Sequence, residues 1–110
     1  QSMTYIPTYS EEAPDRSAID ALSGAVLIEF GANWCGHCQG AQPLIEAAQR
    51  AYPELRALKI EDGPGRPLGR SFRVKLWPTL IFMKDGVERE RLVRPASEAE
   101  ITAALIRLTA

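Results

Sequence analysis

The chain has 110 residues, of which 45% are hydrophobic and 25% charged, and its formal net charge is -1. This length suits one domain with its own core, and the composition is that of an ordinary globular protein. The charge balance offers no basic field for nucleic acid or a membrane surface, and no apolar run approaches the ~20 residues that cross a bilayer. We therefore expect neither partner and look for function in a local site.

The N-terminal part predicts an irregular arm over residues 1–14, which include two prolines, with a short strand at 5–9. The single domain is expected to span 15–110. Gln1 and Ser2 resemble the remnant of a cleaved protease site, which would make Met3 the native start. Since no basic segment precedes an apolar stretch as in a secretory signal, we expect a cytoplasmic protein. The alternative is a periplasmic chain whose signal had been removed.

The first half of the domain predicts a helix, a strand and a longer helix. The first helix begins near Asp15, a favourable N-cap residue, and ends at Gly24. Residues 25–30 are nearly all apolar, which is typical of a strand covered on both faces. Apolar residues at helical spacing predict the longer helix over 35–52, and Pro43 should kink it.

The second half predicts a β-hairpin followed by a closing helix. Four elements lead to that helix, namely a strand at 55–61, a weak helix at 67–73, a buried strand at 78–83 and a charged edge strand at 87–93. The pair Asp85-Gly86 is typical of a tight hairpin turn, and Ser97 with Glu100 forms a capping box that opens the last helix. This order predicts an α/β fold whose mixed parallel and antiparallel central sheet is flanked by helices on both faces.

Two cysteines, Cys35 and Cys38, stand three positions apart at the start of the longer helix. A helix N-terminus presents unpaired N–H groups and a partial positive charge, which favour a thiolate over a thiol. The second sulfur lies about one helical turn later, so the two can meet without rearranging the backbone. The pair can therefore hold a dithiol or a disulfide, and no cofactor beyond this redox-active disulfide is expected.

Such a pair predicts thiol–disulfide exchange. The Cys35 thiolate would attack a substrate disulfide, and Cys38 would then attack the Cys35 sulfur and release the reduced substrate. Cys38 needs a base, and Glu29 is the candidate because it is the one charge in an apolar strand, although it could instead face solvent. Burial disfavours an ionised carboxylate, so such a group can exchange protons near neutral pH. His37, between the sulfurs, would favour the thiolate and make the oxidised pair a better oxidant.

The active-site segment of the thioredoxin family is similar to residues 30–38, Phe30-Gly31-Ala32-Asn33-Trp34-Cys35-Gly36-His37-Cys38, whose Cys-Gly-His-Cys core is like that of protein disulfide isomerase domains. Pro43 falls where the family has its kinking proline, and Trp77-Pro78-Thr79-Leu80 resembles the segment around the family's cis-proline. The resemblance covers residues 15–110, nearly the whole chain.

The resemblance implies the thioredoxin fold and a monomeric enzyme that exchanges disulfides with protein substrates and is recharged by an unidentified electron donor. Cys35 would be the exposed nucleophile, Cys38 the resolving thiol and Glu29 the buried acid. The remaining candidate site residues are Trp34, Gly36 and His37 around the pair, and Trp77, a cis Pro78, Thr79 and Arg94 in the substrate groove.

Three positions depart from the family pattern. Gly31 stands where an aromatic residue is usual, so the active-site loop should pack differently. Ala57 stands where a lysine often accompanies the buried acid, which would leave Glu29 without that partner. Arg94-Pro95 replaces a glycine-containing turn beside the substrate groove, which changes the surface that selects substrates.

Other uses of the two cysteines stay open at this point. A structural bridge across so short a loop would stabilise the fold by only ~2 kcal/mol. A zinc site needs four ligands, and two cysteines with the single histidine are too few in one chain, so no metal is expected unless two chains share a site. The alternatives are a periplasmic oxidase or isomerase, which His37 favours, and a binding module of the same fold without redox turnover.

Overall fold

A computed structural model describes residues 5–110, so the expected remnant at Gln1 and Ser2 and the expected start at Met3 lie outside the described residues. Eight helices and strands follow one another in residues 5–110: α1 Arg16–Asp20, β1 Ala25–Gly31, α2 Gly36–Gln49, β2 Arg56–Glu61, α3 Pro67–Ser71, β3 Thr79–Lys84, β4 Val87–Val93 and α4 Glu98–Thr109. No helix among these is long and apolar enough to span a membrane.

The strands form one sheet in the order β2-β1-β3-β4. The β1 strand runs parallel to β2 and antiparallel to β3, and β3 pairs antiparallel with β4. This confirms the predicted mixed sheet and places the charged strand β4 at an edge, as expected.

Helices cover both faces of the sheet, as predicted. Residues of α2 and α4, such as Ile45 and Leu105, pack with Leu27 of β1 on one face. Residues from α1 and α3, such as Ile19, pack with Ile28 on the other face. Since alternate residues of a strand point to opposite faces, Glu29 lies on the same side as Leu27, beneath α2.

Most predicted boundaries hold within a few residues. Helix α2 begins at Gly36 with Cys35 as its N-cap, contains Pro43, and ends three residues before the predicted 52. The Asp85-Gly86 hairpin is confirmed, and both residues have positive φ, 51° and 79°, as a type I′ turn requires. The Asp15 cap is also confirmed, since its side chain accepts a hydrogen bond from the Ala18 N–H.

The predicted strand over 5–9 is wrong. Residues 5–9 are irregular, and within residues 5–14 the backbone pairs with the sheet only at Ser10, through a single parallel bridge to Ile60 of β2. Ser10 donates to the Lys59 carbonyl at 2.9 Å and accepts from the Glu61 N–H at 2.8 Å. Pro7 has no N–H to donate, which is one reason why the ladder does not extend back along the arm.

Candidate active site

The cysteine pair lies where β1 leads into α2. Cys35 caps the helix with extended backbone (φ -81°, ψ 121°), and its Sγ accepts the Cys38 N–H at 3.2 Å. Both cysteines are free thiols. Cys35 is 7% exposed and Cys38 is 1% exposed. The first thiol is therefore the more accessible of the two, but the expectation that Cys35 is exposed is wrong. The reason is that Tyr9, Ala32 and Trp77 pack around the pair.

Burial and the neighbouring Cys35 sulfur raise the pKa of Cys38 to about 11, while the Ala32 backbone and the Tyr9 hydroxyl act in the opposite direction. Cys38 is therefore a thiol at neutral pH. Its use as a nucleophile requires a group that takes its proton.

Glu29 is 2% exposed, which confirms its predicted burial. Its Oε1 accepts a hydrogen bond from Lys59 Nζ at 2.8 Å, and its Oε2 accepts from Gln42 Nε2 at 3.0 Å and from the Tyr9 hydroxyl. Burial lowers the pKa of Lys59, and the charge of Glu29 partly offsets that fall. Glu29, Lys59, Gln42 and Tyr9 thus form one polar cluster under α2, which we call the Glu29 cluster.

A groove of about 540 Å³ runs beside the N-terminus of α2. It is lined by Gly36, His37, Gly40, Ala41, Leu44, Pro78, Arg94 and Pro95. The structure thereby brings the predicted groove residues Pro78 and Arg94 next to Gly36 and His37 of the motif. His37 itself is exposed to solvent.

The segment facing the helix is held by hydrogen bonds. The Trp77–Pro78 peptide bond is cis, and the Arg94 N–H donates to the Pro78 carbonyl at 2.9 Å. Arg94 Nε donates to the Trp77 carbonyl at 2.7 Å. Thr79 is 1% exposed, and its hydroxyl donates to the Leu76 carbonyl, so its side chain is turned inward.

Two tryptophans flank the pair. Trp34 is 75% exposed and stands edge-on to Trp77, with ring centroids 5.5 Å apart. Trp77 is fixed by its indole N–H, which donates to Asp62 Oδ2 at 2.8 Å. The exposed Trp34 ring offers an apolar surface close to Cys35.

Comparison with known proteins agrees with this geometry. The family model for thioredoxin matches residues 9–107. Thioredoxin from Chlamydia muridarum is 42% identical over 80 residues, which are 72% of this chain and 78% of that protein. The structure of reduced thioredoxin 2 from Pseudomonas aeruginosa PAO1 is 55% identical with a TM-score of 0.85, and the match covers 93% of this chain and 94% of that one.

The chain belongs to the thioredoxin family. The predicted fold is thereby confirmed, and so is the activity class, because thioredoxins are thiol–disulfide oxidoreductases. A more distant thioredoxin structure, from Nicotiana alata, shares the fold at 26% identity and a TM-score of 0.73, over 86% of this chain and 82% of that one.

The expectation that Glu29 has no lysine partner is wrong. Ala57 lies opposite Leu27 and not opposite Glu29, and Lys59 supplies the ammonium group. In the parallel pairing Glu29 lies level with Lys59, and positions 57 and 59 point to the same face of β2. A lysine two residues later along the strand therefore reaches the same carboxylate.

The departure at Gly31 is explained by Tyr9 of the N-terminal arm. A Cβ at residue 31 would lie 2.7 Å from Tyr9 Cζ and 2.7 Å from Cys38 Sγ. The Tyr9 ring thus occupies the space that an aromatic side chain at position 31 would need. An aromatic ring therefore does lie beside Gly31, but it comes from the N-terminal arm.

Sequence reasoning missed three members of the Glu29 cluster, namely Tyr9, Gln42 and Lys59. Lys59 could have been predicted, because it is a charged residue between the apolar Leu58 and Ile60. In a strand this alternation places Lys59 on the face of the sheet opposite to Ile60. Gln42 lies one helical turn after Cys38, and its Nε2 donates to the Cys38 carbonyl at 2.8 Å. Many residues on a helix surface have this spacing, so the position of Gln42 in the sequence gave no specific signal. Nothing in the sequence alone placed Tyr9 beside the cysteines.

Proposed function

We propose that the chain reduces disulfide bonds of proteins, with Cys35 as the nucleophile and Cys38 as the resolving thiol. The observation that carries this is the N-cap position of the Cys35 sulfur, which accepts the Cys38 N–H at the positive end of α2. A thiolate there would attack one sulfur of the substrate, form a mixed disulfide and expel the other sulfur as a thiolate. Cys38 would then form the Cys35–Cys38 disulfide and release the second substrate sulfur.

The other site residues have supporting roles in this proposal. Glu29 takes the proton that Cys38 must lose. Trp34, Gly36 and His37 shape and tune the rim around Cys35. The substrate chain lies in the groove along Trp77, Pro78 and Arg94, and the lining of the groove by Pro78 and Arg94 supports the assignment. The expected contact by Thr79 is restricted to its main chain, because its side chain is buried and turned inward.

We further propose that the enzyme works in the cytoplasm as a single chain without any other cofactor. Support comes from the family, since bacterial thioredoxins are typically cytosolic, and from the physical requirement that a reductant needs a compartment that keeps thiols reduced. An electron donor of unidentified nature returns the pair to the dithiol after each turnover.

Reduction of insulin by dithiothreitol tests the proposal. The wild-type protein should accelerate insulin precipitation, and Cys35→Ser should abolish the acceleration because it removes the attacking sulfur. The matched variant Cys38→Ser should retain the first attack and, when mixed with insulin in the absence of dithiothreitol, accumulate a mixed disulfide that is visible on a non-reducing gel. Equal rates for wild type and Cys35→Ser would favour a binding module without redox turnover.

An oxidase or isomerase role is the second candidate, and the exposed His37 between the two cysteines favours it. A cationic imidazole stabilises the thiolate and therefore makes the disulfide more oxidising. We expect the midpoint potential of the wild-type protein to lie above about -270 mV, the potential of thioredoxin. The midpoint potential of His37→Pro should be lower than that of the wild type. Titration against glutathione measures both, and a wild-type midpoint at or below that of thioredoxin would exclude the oxidising role.

A further inference from the structure

Tyr9 is held in the active site by main-chain hydrogen bonds of Tyr9 itself and of the next residue, Ser10. Its N–H donates to Asn33 Oδ1 at 2.7 Å, just before the cysteine motif, and the next residue, Ser10, is bridged to β2. The Tyr9 residue is only 5% exposed. Its ring position is therefore fixed by the fold and does not depend on its own hydroxyl group alone.

The Tyr9 hydroxyl lies between the base and the resolving thiol. It donates a hydrogen bond to Glu29 Oε2. It also interacts with Cys38, whose pKa it acts to lower. Both atoms border Gly31, where a Cβ would lie 2.8 Å from the Tyr9 hydroxyl oxygen and 2.7 Å from Cys38 Sγ.

Within the part of the chain that the structure describes, three groups donate hydrogen bonds to the Glu29 carboxylate, and they differ in what else they can do. The Lys59 ammonium group and the Gln42 amide nitrogen only donate. A hydroxyl group donates one hydrogen bond and can also accept at the same oxygen. The Tyr9 oxygen accepts from Gln42 Nε2 at 3.2 Å, so the proton of Cys38 would have to reach its remaining lone pair. Tyr9 is thus the one of the three that can accept a proton from a thiol while giving its own to the carboxylate.

We propose that Tyr9 relays the proton of Cys38 to Glu29 during the resolving step, which makes it a catalytic residue. The Cys38 S–H bond breaks and its proton passes to the Tyr9 oxygen, while the Tyr9 proton passes to Glu29 Oε2. The Cys38 sulfur attacks Cys35, the Cys35–Cys38 bond forms, and the bond from Cys35 to the substrate sulfur breaks. The substrate leaves as a thiolate, and the proton on Glu29 is available to neutralise it.

The ionisation of the groups around the relay fits this role. Burial, followed by the charge and hydrogen bond of Glu29, raises the pKa of Tyr9, so the relay group is a neutral phenol. The pKa of Cys38 is about 11, so the thiol has a proton to lose. Tyr9 can therefore transfer a proton from Cys38 to Glu29 while its own side chain stays a neutral phenol.

The inference rests on the proposed roles of Cys35 and Cys38, and the experiment separates the two. Equimolar Ellman's reagent is mixed with the reduced protein in a stopped-flow instrument. The first equivalent of thionitrobenzoate reports attack by Cys35, and the second reports resolution by Cys38. Wild type should show both phases and Cys38→Ser only the first. If wild type released none, the proposed function itself would fail.

Tyr9→Phe keeps the ring and removes the hydroxyl. We expect its first phase to stay within twofold of wild type and its second phase to slow by about 100-fold, within the usual range for a positioned proton-transfer group. The matched control is Tyr5→Phe, which removes the hydroxyl of the arm's other tyrosine, bonded to Gln42 Oε1, and should leave both phases unchanged. A second phase in Tyr9→Phe slowed by less than tenfold overturns the relay.

A measurement on the wild-type protein needs no variant to fold. The rate of the second phase is followed in mixtures of H₂O and D₂O. Movement of two protons through one hydroxyl should give a curved dependence on the deuterium fraction, whereas transfer of a single proton gives a straight line. The relay requires both the curvature and the slow second phase of Tyr9→Phe, and a straight line overturns it.

Discussion

The carboxylate of Glu29 shows how strongly individual residues of the site depend on one another. A buried charge is unfavourable unless it is paired and hydrogen-bonded. Glu29 is paired with Lys59 at 2.8 Å, and the two side chains are only 2% and 9% exposed. Loss of one partner therefore leaves the other charge buried without compensation.

Lys59→Met keeps the length of the side chain and removes its charge. We expect the free energy of unfolding to fall by about 3 kcal/mol at pH 7, because the Glu29 carboxylate loses its counter-ion. Urea denaturation measures this. The exposed Lys75→Met serves as the control and should change stability by less than about 0.5 kcal/mol. Adding Glu29→Gln to Lys59→Met should recover most of the loss, and an equal loss in both lysine variants would contradict the buried-pair interpretation.

The raised pKa of Cys38 predicts a loss of stability at alkaline pH. Its pKa is about 11 in the fold against an ordinary value of 9.0. Between these values the folded state holds a proton that the unfolded state has lost, so the stabilisation present below pH 9 disappears as the pH rises through 11. Urea denaturation of the reduced protein across this range should show a steeper decline for wild type than for Cys38→Ala.

The comparison with Cys38→Ala isolates this thiol from its neighbours. The groups that face Cys38 are Cys35, Tyr9 and, more distantly, Lys59. The pKa of Lys59 is lowered in the fold, so its own contribution to stability has the opposite sign and rises with pH. Both proteins contain all three groups, and parallel pH profiles would therefore argue against the raised pKa of Cys38.

The sequence predicted the residues whose roles follow from local position. Cys35 and Cys38 have the spacing of one helical turn, and Glu29 is the single charge in a buried strand. Lys59 and Tyr9 were not predicted as site residues, because their positions beside Glu29 and Cys38 depend on long-range contacts. The parallel register puts Lys59 level with Glu29, and the path of the arm brings Tyr9 beneath Gly31.

At the scale of elements, the β3–β4 hairpin is tied to the loop after α1. The Gly24 N–H donates to Asp85 Oδ1 at 2.8 Å, and the Asp85 N–H donates to the Gly24 carbonyl at 3.0 Å. Gly86 then passes directly over the end of α1, where a Cβ would lie 2.1 Å from the Asp20 carbonyl oxygen. The turn therefore needs glycine for two reasons, its positive φ and this close approach.

Gly86→Ala should separate these two reasons when it is compared with Gly65→Ala. Both glycines have nearly the same φ, 79° and 78°, but a Cβ at Gly65 would have no atom within 4 Å. We expect Gly65→Ala to lower the free energy of unfolding by about 1 kcal/mol through backbone strain. Gly86→Ala should lose at least about 1 kcal/mol more, because backbone atoms must move. Thermal or urea denaturation checks this, and equal losses would show that the close contact relaxes freely.

The elements themselves were largely predictable because each has a local signal. Apolar runs marked β1 and β3, the Asp-Gly pair marked the hairpin, and Ser97 marked the start of α4, where its Oγ accepts the Glu100 N–H at 3.2 Å. The predicted strand at 5–9 failed for the opposite reason. Pro7 removes one donor, but whether the rest of the arm pairs with a sheet edge is decided by where the edge lies in space, which is not a local property of the residues of the arm.

At the scale of the whole molecule, the active site joins parts of the chain that are far apart in sequence. The end of β1, the start of α2 and the arm all converge at Gly31, which makes room for them by having no side chain. Packing at this point therefore controls both stability and the alignment of the thiols. A methyl group should be enough to disturb it.

Gly31→Ala places a methyl group against Cys38 Sγ and the Tyr9 ring. We expect a loss of about 2 kcal/mol in the free energy of unfolding through overpacking. The second phase of the Ellman's reaction should slow as well, because the Tyr9 hydroxyl is displaced. Gly40→Ala is the control, since a Cβ there meets nothing within 4 Å and alanine favours a helix interior, so it should be neutral or stabilising. If both variants were equally stable, the space at Gly31 would not be filled as described.

The single bridge at Ser10 has a consequence for association between molecules. The outer strand β4 carries alternating Glu and Arg over 88–91, which discourages strand addition, whereas the other outer strand, β2, is covered by the arm around Ile60. Shortening the chain past Ser10 would uncover main-chain donors and acceptors of β2 and invite intermolecular sheet growth. The same cut would take away Tyr9, so aggregation and slow turnover would arise together from one truncation.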